Sequence, residues 1–208
     1  MIEYALKHPD KLWKPLLQHL ELLLVVMIVS LILAALLTIT AMTSKPISNT
    51  MLHLFSIIYS IPSLALFALL IPITGLGKIT AIVVLVIYNQ YLLLRNFIAG
   101  LNDVDPSMIE AATGMGMSRM QLLFQVRVPL STKALFSGLR LASVSTIGMA
   151  TIAALINAGG LGSLLFDGLR TMNVNKILWG SLLSASLAIV TNGILIQMEK
   201  RIQNHNPS

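Results

Sequence analysis

Glu110-Ala111-Ala112-Thr113-Gly114-Met115-Gly116, continued nine residues later by Val126-Arg127-Val128-Pro129, is a polar, glycine-punctuated stretch in an otherwise apolar chain. It is too polar to cross a bilayer and too well punctuated to be a linker. Asp105-Pro106 ahead of it suits an N-cap followed by proline at the first helical position, while Ser107 and Glu110 offer a competing capping box. Gly114 or Gly116 then ends the helix through a left-handed cap. Ser118 and Gln121 form a second capping-box signature, which opens another short helix with Met120, Leu123 and Phe124 on one face. Val128-Pro129 closes it. The stretch therefore predicts two short helices around a glycine elbow. Met108, Met115, Met117 and Met120 give it a pliant apolar surface suited to a contact that repacks as a partner moves.

The rest of the chain says where this element is mounted. Of 208 residues 56% are hydrophobic and 11% charged, against roughly 25% charged in ordinary soluble domains. The mean hydropathy is +0.84. These values describe an all-α integral membrane protein of one domain. Charge-free windows at 22–44, 46–77, 79–94, 141–166 and 177–198, set against the ~20 residues a spanning helix needs, predict five transmembrane helices near 19–41, 52–72, 79–99, 134–156 and 177–197. Pro62 predicts a kink in the second, and Pro72 with Gly75-Leu76-Gly77 its end. Asn157-Ala158-Gly159-Gly160-Leu161-Gly162 breaks the chain after the fourth, and Ser163 to Asn175 reads as a partly embedded loop or short helix.

Composition also excludes chemistry. Cysteine is absent, so there is no disulfide framework, Cys-ligated zinc or thiol nucleophile. His8, His19, His53 and His205 are scattered near span ends or termini with no metal spacing, which argues against an enzyme. A net charge of +6 suits anionic lipid headgroups rather than nucleic acid. Gly75-Leu76-Gly77-Lys78-Ile79-Thr80 lacks the first glycine and the hydroxyl of a phosphate loop. No acidic residue lies near the centre of a span, against a secondary transporter with an ion-coupling site. No cleavable signal peptide is evident, so the first span is expected to serve as the insertion signal. Polar groups inside the spans are candidate path-lining residues: Tyr59, Tyr88, Asn89, Gln90 and Tyr91, then Ser143, Ser145, Thr146 and Thr151, then Ser181, Ser184, Ser186, Thr191 and Asn192. Each Ser or Thr competes with a role in helix–helix hydrogen bonding, and the amides of Asn89 and Gln90 stand out as costly to leave unpaired. With the N-terminus outside, the basic residues divide eight inside to six outside, a weak positive-inside bias.

Glu-Ala-Ala, three residues, Gly, nine residues and a terminal aliphatic-x-aliphatic-Pro resembles the EAA loop of permease subunits of binding-protein-dependent ABC importers. Val126 and Val128 stand where that pattern has Ile and Leu. Ile61-Pro62-Ser63-Leu64-Ala65-Leu66, Arg95-Asn96 with Gly100-Leu101, Val104-Asp105-Pro106 and Ala158-Gly159-Gly160-Leu161-Gly162 are similar to the glycine betaine, carnitine and choline (osmoprotectant) branch. The glycine segment is shared with methionine-type amino-acid importers, the alternative.

The resemblance implies a type I ABC importer permease fold over 19–200 with a cytoplasmic coupling loop at 105–129, an N-terminal extracytoplasmic or interfacial segment 1–18 and a cytoplasmic tail 201–208. It implies that Glu110, Ala111, Ala112 and Gly116, with Gly114 and Met117 beside them, meet the ATPase, and that Asn157, Gly159, Gly160 and Gly162 belong to an outer gate; of the polar span residues, Tyr59, Tyr88, Asn89, Gln90, Ser143 and Ser145 are the candidates to line the path. The implied assembly holds a second permease subunit, identical or paralogous, two ATP-binding subunits and an extracytoplasmic substrate-binding protein, separate or lipid-tethered, in a bacterial cytoplasmic membrane. ATP and magnesium would reside on the partner ATPase, with no cofactor or catalytic residue on this chain.

Overall fold

The computed structural model describes residues 2–205, and every regular element among them is helical. In chain order these are α1 (Ile2–Lys7), α2 (Asp10–Ala41), α3 (Lys45–Ser60), α4 (Ser63–Thr74), α5 (Lys78–Asn102), α6 (Pro106–Gly114), α7 (Arg119–Gln121), a π-helical stretch (Leu122–Arg127), α8 (Val128–Leu130), α9 (Thr132–Ile152) with a 3₁₀ turn (Ala153–Ile156), α10 (Leu161–Arg170) and α11 (Val174–His205).

α2, α5, α9 with its 3₁₀ turn, and α11 are each long and apolar enough to span a membrane, and α3 with α4 forms a fifth, bent pair. α2 starts at Asp10, nine residues ahead of the expected span. Its 32 residues measure about 48 Å at 1.5 Å per residue, longer than the ~30 Å hydrocarbon core. Its register explains its orientation. Leu22, Val26, Ser30, Ala34 and Thr38, at four-residue steps, are buried, while Leu24, Ile28, Ile32 and Leu36 are exposed. Residues four apart share a helix face, so one face packs inward and the other presents a purely aliphatic stripe to lipid.

α5 is the axis of the bundle. In its most apolar window 67% is buried, against 6% for α11, which lies at the periphery. Val84 and Leu85 pack with Leu22, Val26, Phe67, Ala150 and Ala153 towards one end of the molecule. Leu93 and Phe97 pack with Ala34 and Ala142 further along. α5 and α9 approach closely because small residues face each other: a Cβ on Gly100 would overlap that of Ala134, and one on Gly138 would lie 2.9 Å from the Asn96 Cβ. Apolar side chains gain little by leaving lipid for protein, so close backbone packing of this kind is what holds membrane helices together.

The expected single span over 52–72 is two helices meeting at 96°. Proline disfavours helical backbone at the residue before it, and Ile61 is accordingly extended (φ −68°, ψ 131°). Pro62 also lacks an N–H, so the chain breaks outright rather than kinking. Pro72 does not end the segment but sits within α4, which runs to Thr74 and stops at Gly75 (φ 80°). The break leaves carbonyls without intrahelical donors. The Tyr88 hydroxyl, itself buried, donates to the Ile61 carbonyl, and the Tyr88 ring stands edge-on to Tyr59 at 5.4 Å. Tyr88→Phe should therefore insert normally yet lose about 1–3 kcal/mol of stability for an orphaned carbonyl, read as a lower thermal midpoint in detergent; an unchanged midpoint would show that the break needs no cap.

Candidate coupling loop, path and end turn

The loop folds largely as its local chemistry dictates. Asp105 caps α6 by accepting from the Ser107 N–H at 2.8 Å, with Pro106 in the first turn, so of the two competing caps Asp105 is the one formed. The Ser107 backbone N–H and hydroxyl hold the Asp105 carboxyl below the usual carboxylate range. With a folded value below the unfolded one, this cap contributes at neutral pH and is lost only as pH falls through the lower value. Of the two candidate glycines, Gly116 (φ 82°) makes the elbow, and Gly114 is the last residue of α6. The Ser118–Gln121 capping box is complete in both directions.

Beyond Gln121 the helix widens. Leu122–Arg127 is π-helical, so the simple i, i+3, i+4 face expected of Met120, Leu123 and Phe124 is split. Leu123 is buried while Met120 and Phe124 are about half exposed. Glu110, Ala111, Met108 and Met115 are exposed as well, Met117 is half-buried and Ala112 is buried. The exposed set thus forms a surface of one carboxylate and several flexible apolar side chains, with Ala112 seating the helix.

Sequence reading passed over the residues that fasten this loop to the bundle. Arg127 Nη1 donates to the Leu101 carbonyl at 3.1 Å and to Asn102 Oδ1 at 3.4 Å, and Ser131 Oγ donates to the Gly100 carbonyl at 2.7 Å. Together they cap the last turn of α5, whose end carbonyls have no intrahelical donors. The signal was a basic residue inside the aliphatic-x-aliphatic-Pro segment, where a solvated charge has no obvious purpose.

The candidate path residues divide. Asn89 donates to Ser30 Oγ (3.2 Å) and Thr146 Oγ1 (2.9 Å), and Thr146 returns a bond to Asn89 Oδ1 (3.1 Å). Gln90 donates to the carbonyls of Ser30 (3.3 Å) and Val86 (3.1 Å). Ser143 bonds back to Leu139 within its own helix. All of these are buried between helices of the one chain, and Tyr88 is committed to the helix break. Tyr59 and Ser145 are half-buried; Tyr59 stacks at 4.9 Å on Tyr91. A polar face unnoticed in the sequence runs along α3. Asn49, His53, Ser56 and Ser60 fall at steps of four, three and four residues, hence on one side of the helix. Next to it is a cleft of about 240 Å³ lined by Leu52, His53, Ser56, Tyr91 and Arg95, with Arg95 Nη1 donating to the Tyr91 hydroxyl at 3.3 Å.

The glycine turn lies at the end opposite the loop. Asn157 (φ 65°), Gly159 (φ 80°) and Gly160 (φ 79°) are all left-handed, and the Asn157 carbonyl lies 3.7 Å from where a Gly77 Cβ would be. Gly162 packs so tightly that a Cβ would overlap the Thr151 carbonyl. At the same end Lys78 pairs with Glu21 at 2.5 Å.

Residues 27–204 match the family described as binding-protein-dependent transport system inner membrane component. The chain belongs to this family. Similar members include the carnitine transport permease protein OpuCB of Listeria monocytogenes, 36% identical over 89% of this chain and 85% of that protein. The choline transport system permease protein OpuBB of Bacillus subtilis is 32% identical over the same shares. The osmoprotectant import permease protein OsmW of Salmonella typhimurium is 32% identical over 95% of this chain and 94% of its own length. Among solved structures, a chain of the inward-facing MetNI methionine ABC transporter superposes with a TM-score of 0.84 at 20% identity, covering 92% of this chain and 95% of that one. A chain of an amino acid ABC transporter gives 0.76 at 16% identity, covering 99% and 98%. These place the fold as that of a type I importer permease. Family membership makes the chain a membrane-embedded permease subunit that works with ATPase and substrate-binding partners.

Arg127→Gln should weaken the loop-to-α5 joint by about 1–2 kcal/mol, the range of a charge-assisted bond discounted for partial exposure. The expected result is a complex that still binds its ATPase but imports several-fold more slowly. Uptake at the parental rate would show that the joint carries no force.

Proposed function

We propose that the chain is half of the translocation pore of an ABC importer for small quaternary-ammonium osmoprotectants of the glycine betaine, carnitine, choline or proline betaine type. The observation that carries this reading is the near full-length likeness to carnitine, choline and osmoprotectant permeases, in a chain whose coupling loop is fully capped and displayed.

In this reading the loop faces the cytoplasm of a bacterial cell, the N-terminus lies outside and the C-terminus inside. Two ATPases, a second permease subunit and an extracytoplasmic binding protein complete the assembly. ATP and magnesium bind the partner ATPases, and this chain supplies no catalytic group. A partner shifts a conformational equilibrium only by its differential affinity for the two states. The exposed Glu110, Ala111, Met108 and Met115 are the surface through which ATPase closure reaches the bundle, with Gly114, Gly116 and Met117 shaping its elbow and Ala112 its seat. Arg127 and Ser131 hand that motion to α5.

The path runs along the polar face of α3, past Tyr59 and Tyr91. Polar groups inside a membrane face water or another helix, and aromatic faces attract quaternary ammonium groups. Asn89, Gln90, Ser143 and Tyr88 hold the wall behind that surface together, with Ser145 at its edge. Asn157, Gly159, Gly160 and Gly162 form the outer gate.

Co-expression with an ATPase and a binding protein, followed by labelled uptake under osmotic stress, tests the substrate. Betaine, carnitine or choline is expected to enter; entry of an amino acid alone overturns the substrate class in favour of a methionine-like importer. Glu110→Arg should abolish uptake, more than tenfold, while membrane insertion is retained. Normal uptake in that variant would remove the coupling role.

A further inference from the structure

The N-terminus of α10 is capped from another helix. Gly160 at its N-cap has no side chain to offer its own backbone, and the first N–H groups of a helix lack intrahelical acceptors. α2 supplies them from a distance of 142 residues in sequence: Gln18 Oε1 accepts from the Gly160 N–H at 3.2 Å and His19 Nδ1 from the Leu161 N–H at 3.3 Å. His19 is fully buried, and because Nδ1 accepts, the ring proton of the neutral form is on Nε2. The fit is steric as well as polar. A Cβ on Gly159 would lie 2.9 Å from Gln18 Oε1, and one on Gly160 would lie 2.9 Å from His19 Nδ1.

The other contacts of α10 are of a different kind. Gly168 sits where a Cβ would lie 2.9 Å from the Ile177 nitrogen, and Gly180 where one would lie 2.7 Å from the Leu165 side chain. Asp167 bonds to Lys176 at 2.5 Å. α10 is thereby locked to α11 by interlocking backbone and an ion pair. Gly162 likewise interlocks with α9, where a Cβ would overlap the Thr151 carbonyl. The polar joint to α2 is two neutral hydrogen bonds, the most readily reversed of the three, so a release there lets α2 part from the Gly159–Leu161 turn while α10 stays with α9 and α11.

We propose that Gln18 and His19 are positioning residues of the outer gate: a clasp that holds the Gly159–Leu161 turn closed and lets go when the path opens outward. This rests on the assignment of that turn to the outer gate. A neutral hydrogen bond contributes about 1 kcal/mol, or roughly a fivefold shift in an equilibrium, so the pair biases the gate towards closure by up to about 25-fold. Because ATPase closure and outward opening are linked, loss of the clasp favours the hydrolysing state even without a binding protein.

The test uses the whole complex, permease with its ATPase and binding protein, in lipid vesicles. Gln18→Leu and His19→Leu should each raise ATP hydrolysis without binding protein about fivefold and compress the stimulation that binding protein gives. His19→Asn, whose amide oxygen takes the place of Nδ1, should stay near the parental ratio. Leu variants with parental melting and unchanged hydrolysis would overturn the proposal. So would hydrolysis and uptake that fall together with the melting midpoint, the result of a purely structural role. If His19→Leu fails to fold, Gln18→Leu decides alone. Uptake of glycine betaine, carnitine and choline by the parental complex is measured in the same vesicles: failure of all three overturns the substrate assignment, while hydrolysis without binding protein still judges the clasp.

Discussion

A backbone carbonyl or N–H freed inside a membrane has no water to turn to, and an unmet one costs several kcal/mol. In three regions, two of them within the apolar bundle and one where the 105–129 loop leaves it, a side chain from elsewhere in the chain meets backbone groups released at a helix end. Tyr88 of α5 takes the Ile61 carbonyl at the α3–α4 break. Arg127 and Ser131 take the last carbonyls of α5 where the loop begins. Gln18 and His19 of α2 take the first N–H groups of α10. The irregular segments are therefore the joints of the structure, and each is fastened by a named side chain of another element.

What could be read from the sequence follows from this. The 105–129 loop was legible because its caps are local: Asp105 with Ser107, and Ser118 with Gln121, are decided within three residues. The helical element types and four of the five expected spans were legible from charge-free windows, the second expected span being a bent pair of helices. The α2 N-terminal turns were not, because Lys11, Lys14 and Glu21 look like the end of a span when they decorate a helix that overruns it. The break at Pro62 was visible, but its 96° angle and the tyrosine that caps it from 27 residues away are set by tertiary packing that local sequence does not show.

Polar residues in the spans were the least legible, since composition alone cannot say which way a side chain faces. Asn89 and Gln90 drew notice as costly amides, and the structure partners Asn89 with Ser30 and Thr146 and the Gln90 NH₂ with the Ser30 and Val86 carbonyls, leaving the buried Gln90 Oε1 without a partner among the described residues. The α3 face of Asn49, His53, Ser56 and Ser60 was overlooked although its spacing was in plain view, because its members are scattered singly among apolar residues. His19 looked interfacial by position, yet it is fully buried because the segment it clasps returns from far along the chain.

The π-helical stretch Leu122–Arg127 carries a consequence of its own. A π turn is an α-helix with one residue to spare, and one residue corresponds to about 100° of rotation. The heading of α7 as it leaves the bundle therefore carries the turn of one surplus residue, and the Gly116 elbow then redirects the chain into α6. A one-residue deletion in the stretch would swing the start of the loop around its stem rather than simply shorten it.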